Sequence, residues 1–307
     1  MKPLVSIILV SYNTAEHTLH ALESVQQQTQ SSYEIIIVDN NSTDNSVELI
    51  RQSFPSIQLI ESTENLGFAG GVCKGVEYAQ GTYLLLLNPD TLVLEGAIDK
   101  LLSFAQQHPQ NGIWGGVTLN NDLSLNTQHA WSKPDFSSLL FSALGLSKLF
   151  STSCLFNNAN YGCWQRDTVK EVDILSGCFF LITRQVWEQL GGLDPTFFMY
   201  AEEADLCLRA KAQGYQPIVT PDARIIHHGG VSHARFSGKL IKLLKGKVEL
   251  INRHISEWKR PIYKSLLWLY VFNKYALYRL FKPKSEQTRE WQTVYQARSN
   301  WLKGYSS

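Results

Sequence analysis

At 307 residues, with 44% hydrophobic and 18% charged side chains, the chain has the composition of a globular protein with a large core, and its length predicts about two domains. Five cysteines, at positions 73, 154, 163, 178 and 207, form no C-x-x-C pair; their odd number argues against a disulfide framework and predicts reduced thiols in a cytosolic compartment. The net charge of +1 hides an asymmetry: the first 235 residues carry −10 and the remaining 72 carry +11, so an acidic body is joined to a basic tail.

The chain opens Met1-Lys2-Pro3 and passes at once into the apolar run Val5-Ser6-Ile7-Ile8-Leu9-Val10. Asn13, Glu16 and His17 follow too soon for the apolar region of a signal peptide. Residues 34–38 and 82–87 are further apolar runs, 56–60 is a weaker one, and all read as strands buried on both faces. Helical segments at 15–28, 44–52, 68–79 and 94–107 lie between and after them, the second with Asp44 as its start signal. Strands alternating with helices predict βαβ units and a mostly parallel sheet. Right-handed crossovers then bring the C-terminal strand ends to one rim, where open α/β sheets bind ligands. Ser11-Tyr12-Asn13, Asp39-Asn40-Asn41-Ser42-Thr43-Asp44 and Asn88-Pro89-Asp90 each follow a strand directly, so one crevice is predicted to hold all three.

Residues 119–171 are rich in Asn, Ser and Gln with poor periodicity and read as an irregular insert. Order returns at 172–182. Gly191-Gly192-Leu193-Asp194-Pro195 is a predicted turn, and 201–213 a predicted helix with Asp205 and Arg209 at i,i+4 and Gly214 as its stop. No internal repeat or low-complexity tract is present.

Several polar residues admit two readings each. Asp90 at a strand end suits a divalent cation beside a leaving diphosphate, because Mg²⁺ takes one or two protein carboxylates plus substrate phosphates; it equally suits a Pro-Asp turn. Asp39 suits a nucleotide base or ribose, or an Asx-type turn. Glu202 and Glu203 open a helix after Phe197-Phe198-Met199-Tyr200. There the dipole favours a carboxylate, and a deprotonated carboxylate near a sugar hydroxyl is a general base. His227, in His227-His228-Gly229-Gly230, is a metal ligand or a strand-end imidazole bonded to backbone. Asn65-Leu66-Gly67-Phe68-Ala69-Gly70-Gly71 can bring bare backbone close to a phosphate or ribose.

Ser6-Ile7-Ile8-Leu9-Val10-Ser11-Tyr12-Asn13, Val38-Asp39-Asn40-Asn41-Ser42-Thr43-Asp44, the Asn65–Gly71 loop, Asn88-Pro89-Asp90-Thr91 and Phe198-Met199-Tyr200-Ala201-Glu202-Glu203-Ala204-Asp205-Leu206-Cys207-Leu208-Arg209 occur in that order. Together, over residues 4–235, they resemble the family 2 glycosyltransferases of the GT-A fold, nearest their bacterial rhamnosyltransferase-like branch. The resemblance implies an α/β, Rossmann-like catalytic domain at 1–235 with a mostly parallel central sheet. It would comprise a nucleotide-sugar half (1–118), the variable insert (119–171) and an acceptor-side half (172–235), followed by a basic, aromatic, helical C-terminal extension (236–307). It implies inverting transfer from a nucleotide-diphosphate sugar to an acceptor hydroxyl, in cell-surface polysaccharide or glycolipid assembly. The donor would be a thymidine-diphosphate deoxysugar such as rhamnose, or else a uridine-diphosphate galactofuranose or N-acetylhexosamine. Asp39 would contact the base, and Ser11, Tyr12, Asn13, Asn65, Gly67 and Asn88 would line the donor site with it. Asp90, last residue of the family's D-x-D, would hold Mg²⁺ or Mn²⁺, with His227 as a further ligand. The acidic pair before Asp205 would supply the base, matched to Glu203 with Glu202 as the alternative. The chain departs from the pattern in beginning the triplet with neutral Asn88 and in having Glu-Glu where Glu-Asp is common.

A sugar nucleotidyltransferase would want a Gly-rich phosphate loop after strand one, and a dehydrogenase G-x-G-x-x-G; Ser11-Tyr12-Asn13-Thr14 is neither. A non-catalytic sugar-binding module would need no carboxylate aimed at the acceptor. Residues 236–307 carry 13 aromatics, among them Trp258, Trp268, Trp291 and Trp301. The apolar stretch 262–281 is interrupted by Lys264, Asn273, Lys274 and Arg279 and should not span a bilayer. A helix between Pro261 and Pro283 is instead predicted to lie in a membrane surface, aromatics at headgroup level and basic groups on anionic lipid; a helical cap with its aromatics in a core is the competing reading. The expected setting is cytoplasmic, peripheral on the inner face of the membrane, beside a glycan or lipid-linked acceptor and without nucleic acid.

Overall fold

The computed structural model describes residues 2–229 and 235–305, so Gly230 of the His-Gly motif and the stretch before the tail lie outside it. The elements are β1 (Val5–Ser11), α1 (Ala15–Gln28), β2 (Tyr33–Asp39), α2 (Ser46–Ser53), β3 (Gln58–Glu61), α3 (Gly67–Val76), β4 (Tyr83–Leu87), β5 (Thr91–Val93) and α4 (Ala97–Gln107). Then come β6 (Ile113–Leu119), β7 (Leu125–Asn126), β8 (Ala130–Trp131), α5 (Phe136–Ala143), α6 (Leu146–Leu149), β9 (Lys170–Glu171), β10 (Ile174–Leu175), β11 (Phe179–Thr183) and α7 (Arg184–Leu190). The last are α8 (Glu202–Ala212), β12 (Ile218–His227), α9 (Phe236–His254), α10 (Arg260–Phe281), α11 (Glu286–Gln296) and α12 (Arg298–Trp301).

Two compact units emerge. The first holds residues 1–131, 166–198 and 202–232; the second holds 132–165, 199–201 and 233–307. The insert read at 119–171 is thus divided between them. In the first unit the sheet runs β3-β2-β1-β4-β11-β6-β12-β5. β3, β2, β1 and β4 are parallel, β11 is antiparallel to both its neighbours, β12 is parallel to β6, and β5 is antiparallel to β12. Ile7, Leu9, Ile37, Leu85 and Leu87 on one face of the parallel strands enter a core with Leu22, Ile50, Leu101 and Trp114. Burial on both faces explains why β1, β2 and β4 read as continuous rather than alternating apolar runs.

α2 begins at Ser46, with Asn45 before it making no side-chain cap bond. Asp44 instead accepts from the Ser46 amide at 3.1 Å and its hydroxyl at 2.6 Å, a local turn in place of the expected cap. α8 follows its predicted span, and Gly214, at φ +91°, ends it in the left-handed region.

In the second unit Cys154 and Cys163 form a disulfide across a short turn, which corrects the expectation of wholly reduced thiols and removes the compartment argument built on it. Cys73, Cys178 and Cys207 are thiols. The tail folds into packed helices whose core joins Leu244, Val248, Ile251, Tyr263, Leu267, Val271, Val294 and Trp301. Trp291 and Trp301 are buried and Trp268 is half-buried, stacked on Phe272, whereas Trp258 is exposed. Much of the aromatic content therefore builds this unit's own core. No helix among the described residues is long and apolar enough to cross a membrane.

Candidate active site

Register places the rim residues. β1 pairs with β2 so that Ser11 lies opposite Asp39, and Ile8 lies opposite Leu86 of β4, which ends one residue before Asn88. The three loops named from sequence thus leave the sheet on one side. Ser11 is fully buried and shares its hydroxyl with Thr14 at 3.1 Å and Thr18 at 3.2 Å. Tyr12 is exposed. Asn13, at φ +53°, cross-links the first loop to the second: its amide donates to Ser42 Oγ at 2.9 Å and its Oδ1 accepts from the Thr43 amide at 2.8 Å.

Asp39 is 2% exposed. Its Oδ2 accepts from the Ser42 amide at 2.9 Å, the Asx-turn geometry, while its Oδ1 is buried without a hydrogen-bond partner in the chain. A buried carboxylate oxygen left open in this way costs free energy unless a ligand donor meets it. The Asx-turn reading thus holds for Oδ2, and Oδ1 is left to a ligand donor.

Asn40, equally buried, joins the second loop to the glycine loop. Its Nδ2 donates to the Gly67 carbonyl at 2.8 Å and to Asn65 Oδ1 at 3.3 Å, and its Oδ1 accepts from the Leu66 amide at 3.1 Å. Asn65 Oδ1 also caps the Gly67 amide at 2.9 Å. Gly67 has φ +70°, and a Cβ there would sit 2.0 Å from the Phe198 carbonyl oxygen. The next amide, of Phe68, donates to that same carbonyl at 2.9 Å. Glycine is required because two backbones touch, bringing the 65–68 loop against the segment leading toward α8.

β12 reaches the site from the other side. Its antiparallel pairing with β5 sets His227 opposite Thr91, and His227 Nε2 comes to 3.2 Å from Asp90 Oδ1 and 3.3 Å from Asn88 Nδ2. The His228 amide donates to the Asp90 carbonyl at 2.9 Å. Burial alone would raise the Asp90 carboxyl, but the hydrogen bond and charge of His227 outweigh it and hold the group below its ordinary value. Burial would likewise lower His227, and hydrogen bonds to Asp90 and Cys178 reverse that, raising it. Asp90, His227 and Asn88 form an oxygen-and-nitrogen donor set. No cluster of three or more His, Cys, Asp or Glu occurs among the described residues. Once His227 gives up its proton, one carboxylate and one imidazole could hold a divalent cation that completes its shell with substrate oxygens and water.

The turn Ser176-Gly177-Cys178, between β10 and β11, links the two halves and was not singled out as a site from sequence. The Cys178 carbonyl accepts from the Asn88 amide at 3.2 Å. On Gly177 a Cβ would meet the Phe68 ring at 3.1 Å and Glu203 Cβ at 3.9 Å, so this bare Cα lies beside the acidic pair. A glycine between two apolar strands signals such an approach. Within the pair, Glu202 is 3% exposed and Glu203 half-buried. Asp205, the third acid of the first turn, is bound to Arg209 at 2.7 Å, and Arg209 also donates to the Leu190 and Gly192 carbonyls at 2.6 and 2.7 Å. It anchors the helix.

This fold, with Asp39, Asp90 and His227 at strand ends and carboxylates at the start of α8, agrees with the comparisons. The family profile described as glycosyl transferase family 2 matches residues 6–191. The chain belongs to glycosyl transferase family 2. Among similar proteins, the N-acetylglucosaminyl-diphospho-decaprenol L-rhamnosyltransferase of Mycobacterium tuberculosis is 24% identical over 275 residues, covering 85% of this chain and 89% of that protein. A low-salt glycan biosynthesis hexosyltransferase of Haloferax volcanii is 26% identical over 75% of this chain and 69% of its own length. The mannosyltransferase PcManGT of Pyrobaculum calidifontis, solved with GDP-Man and Mn2+, superposes with a TM-score of 0.60 at 16% identity, covering 100% of this chain and 89% of that one. GalNAc-T7, solved with UDP, GalNAc and Mn2+, gives 0.61 at 15% identity over 97% and 56%. The fold is GT-A, and this family 2 member is a glycosyltransferase rather than a nucleotidyltransferase, a dehydrogenase or a sugar-binding module.

Because Asn40 serves three polar groups at a buried position, Asn40→Ala should cost about 1–3 kcal/mol of stability, read from urea unfolding. A variant as stable as the parent would show that other contacts hold the 65–67 turn.

Proposed function

We propose that this glycosyltransferase moves a sugar, with inversion at the anomeric carbon, from a nucleotide-diphosphate donor onto the hydroxyl of a lipid-linked or glycan acceptor. The observation that carries the reading is the Ser176–Cys178 turn, which touches the Asn88–Asp90–His227 cluster on one side and Glu203 on the other. Donor and acceptor chemistry would then lie within one site.

Asp39 offers its open Oδ1 to a base N–H, and Asn65 and Gly67 form the loop beside it. Asp90 and His227, with Asn88, would hold a divalent cation. Such a cation would neutralise charge on the departing diphosphate. Glu203 accepts the proton of the acceptor hydroxyl as its oxygen bonds to the anomeric carbon; the bond from that carbon to the diphosphate breaks, and the nucleoside diphosphate leaves with the electron pair. The greater exposure of Glu203 than of Glu202 supports this choice. Its place in the first turn of a helix favours a negative charge there.

The preferred donor is a thymidine-diphosphate deoxysugar such as rhamnose, supported by the rhamnosyltransferase among the relatives, with a uridine-diphosphate sugar as the alternative. That relative's name carries a diphospho-decaprenol acceptor, and a glucosyltransferase of Escherichia coli, 30% identical over 40% of this chain, carries a diphosphoundecaprenol one. Both favour a lipid-linked acceptor, reached by peripheral contact of the 236–307 region with the inner face of the membrane.

Incubated with thymidine- and uridine-diphosphate sugars in turn, the protein should release free nucleoside diphosphate from dTDP-rhamnose. Glu203→Gln should slow transfer by about 10²–10⁴-fold while donor binding by calorimetry persists. Release from uridine donors alone would overturn the donor assignment, and an active Glu203→Gln beside an inactive Glu202→Gln would move the base to Glu202. Asp90→Ala, or excess chelator on the parent, should abolish turnover. Full turnover in chelator would remove the cation from this account.

A further inference from the structure

The second unit carries an apolar surface that its core does not absorb. Asn273 Nδ2 donates to the Ala143 carbonyl at 3.0 Å and seats α10 against the end of α5. Residues 142–145 and one face of α10 then line a groove of about 350 Å³, with Tyr270, Asn273, Lys274, Leu277 and Leu280 recurring at helical spacing. Past this contact the same face runs into solvent. Leu144 is 55% exposed, Leu277 52%, and Leu149, Leu280 and Phe281 each 73%. Large apolar side chains left this open on adjoining elements mark a binding surface rather than an ordinary solvated helix end.

Charge identifies the partner. Residues 136–165 and 258–285 contain no Asp or Glu, while Lys148, Lys274, Arg279, Lys282 and Lys284 stand on or beside the patch. Burial first, and then the charge of Lys148, holds Lys274 below the usual lysine range. A second copy of the chain docked symmetrically would set these cations against themselves. An extended surface that is apolar within and anionic at its rim complements the patch, and a phospholipid bilayer has both properties.

We propose that the corner at 144–149 and the last two turns of α10 form a docking surface for an anionic bilayer, with Leu144, Leu149, Leu277, Leu280 and Phe281 entering the headgroup–acyl boundary and the flanking lysines meeting anionic headgroups. This rests on the membrane contact proposed above and gives it a place. The contact is made by a patch shared between the insert and α10; of the tail's aromatics Phe281 takes part, while most of the others are packed against one another.

The test uses the full chain with vesicles of phosphatidylglycerol and phosphatidylcholine in equal parts, against vesicles of phosphatidylcholine alone. The parent should co-sediment with the first and be released by high salt. Leu280→Asp combined with Phe281→Asp should weaken binding by about tenfold or more per side chain, with an unchanged thermal midpoint, since both residues project into solvent. Lys239→Glu with Lys242→Glu on α9, an equal assault on the tail's charge away from the patch, should retain most of the binding. If the parent binds neither vesicle, this surface and the membrane contact above both fall, while the nucleotide-release assay still judges the transfer reaction. If the Leu280/Phe281 variant binds like the parent, the patch alone is wrong. If the parent is a dimer that this variant dissociates, the patch is a protein interface and the bilayer assignment is overturned.

Discussion

The parallel register of β1 with β2 and β4 is the constraint from which the site follows. Each strand is buried on both faces, so a slip of one residue would exchange every side chain between two packed layers. With that register locked, Ser11 and Asp39 end level and Asn88–Asp90 emerges on the same rim. No loop has to search for the crevice, because the hydrogen-bond ladder delivers all three. The antiparallel β5–β12 pair does the same from the opposite direction and carries His227 to Asp90. A site assembled by ladders is held by many backbone bonds at once, which is what groups meant to meet a small ligand within fractions of an ångström require.

Between the ladders and the ligand-facing groups stands a layer of residues that join loop to loop. Asn13 ties the first loop to the second, Asn40 ties the second to the glycine loop, and Gly67 lets that loop lie against Phe198. Ser176–Cys178 then joins the glycine loop, the Asn88 turn and the start of α8. Few of these contacts are large in energy, yet they form a chain in which each loop restrains the next. Arg209 completes it by fastening α8 to the turn after α7 through Asp205 and two carbonyls. Of the acids at the front of α8, Asp205 is thus the one that fastens the helix through Arg209.

The sequence was most legible where local pattern and tertiary role coincide. Continuous apolar runs can be read as doubly covered strands, and the strand-end polar residues as a rim, because period and burial agree. The i,i+4 pair of Asp205 and Arg209 is likewise visible, being local. Three features escaped because they depend on distant or unpatterned contacts. Cys154 and Cys163 pair through a turn that no spacing rule describes. Gly177 matters through what approaches it from positions 68 and 203, which a lone glycine between strands only hints at. The split of the insert, with 132–165 joining the tail's unit, follows from helix packing such as Asn273 on Ala143, for which residues 130 apart carry no joint signal. The tail's aromatics were ambiguous for a related reason: aromatic, basic helices look alike whether their rings face lipid or one another, and only burial separates Trp301 from Trp258.

The neutral Asn88 has an electrostatic consequence. A second carboxylate at that position would stand beside Asp90 and leave two negative charges against one imidazole. With Asn88 the cluster holds a single carboxylate, and His227 alone can balance it. The amide also adapts: it can turn its oxygen toward a protonated His227 or its NH₂ toward a neutral one, so it remains a partner in either state. A cluster of one carboxylate, one protonated imidazole and one amide is therefore close to charge-neutral and costs less to bury than one with two carboxylates would. The same substitution reduces the attraction for a bare cation. If a cation binds as proposed, more of its coordination would fall to the diphosphate oxygens, and donor and cation would enter as partners.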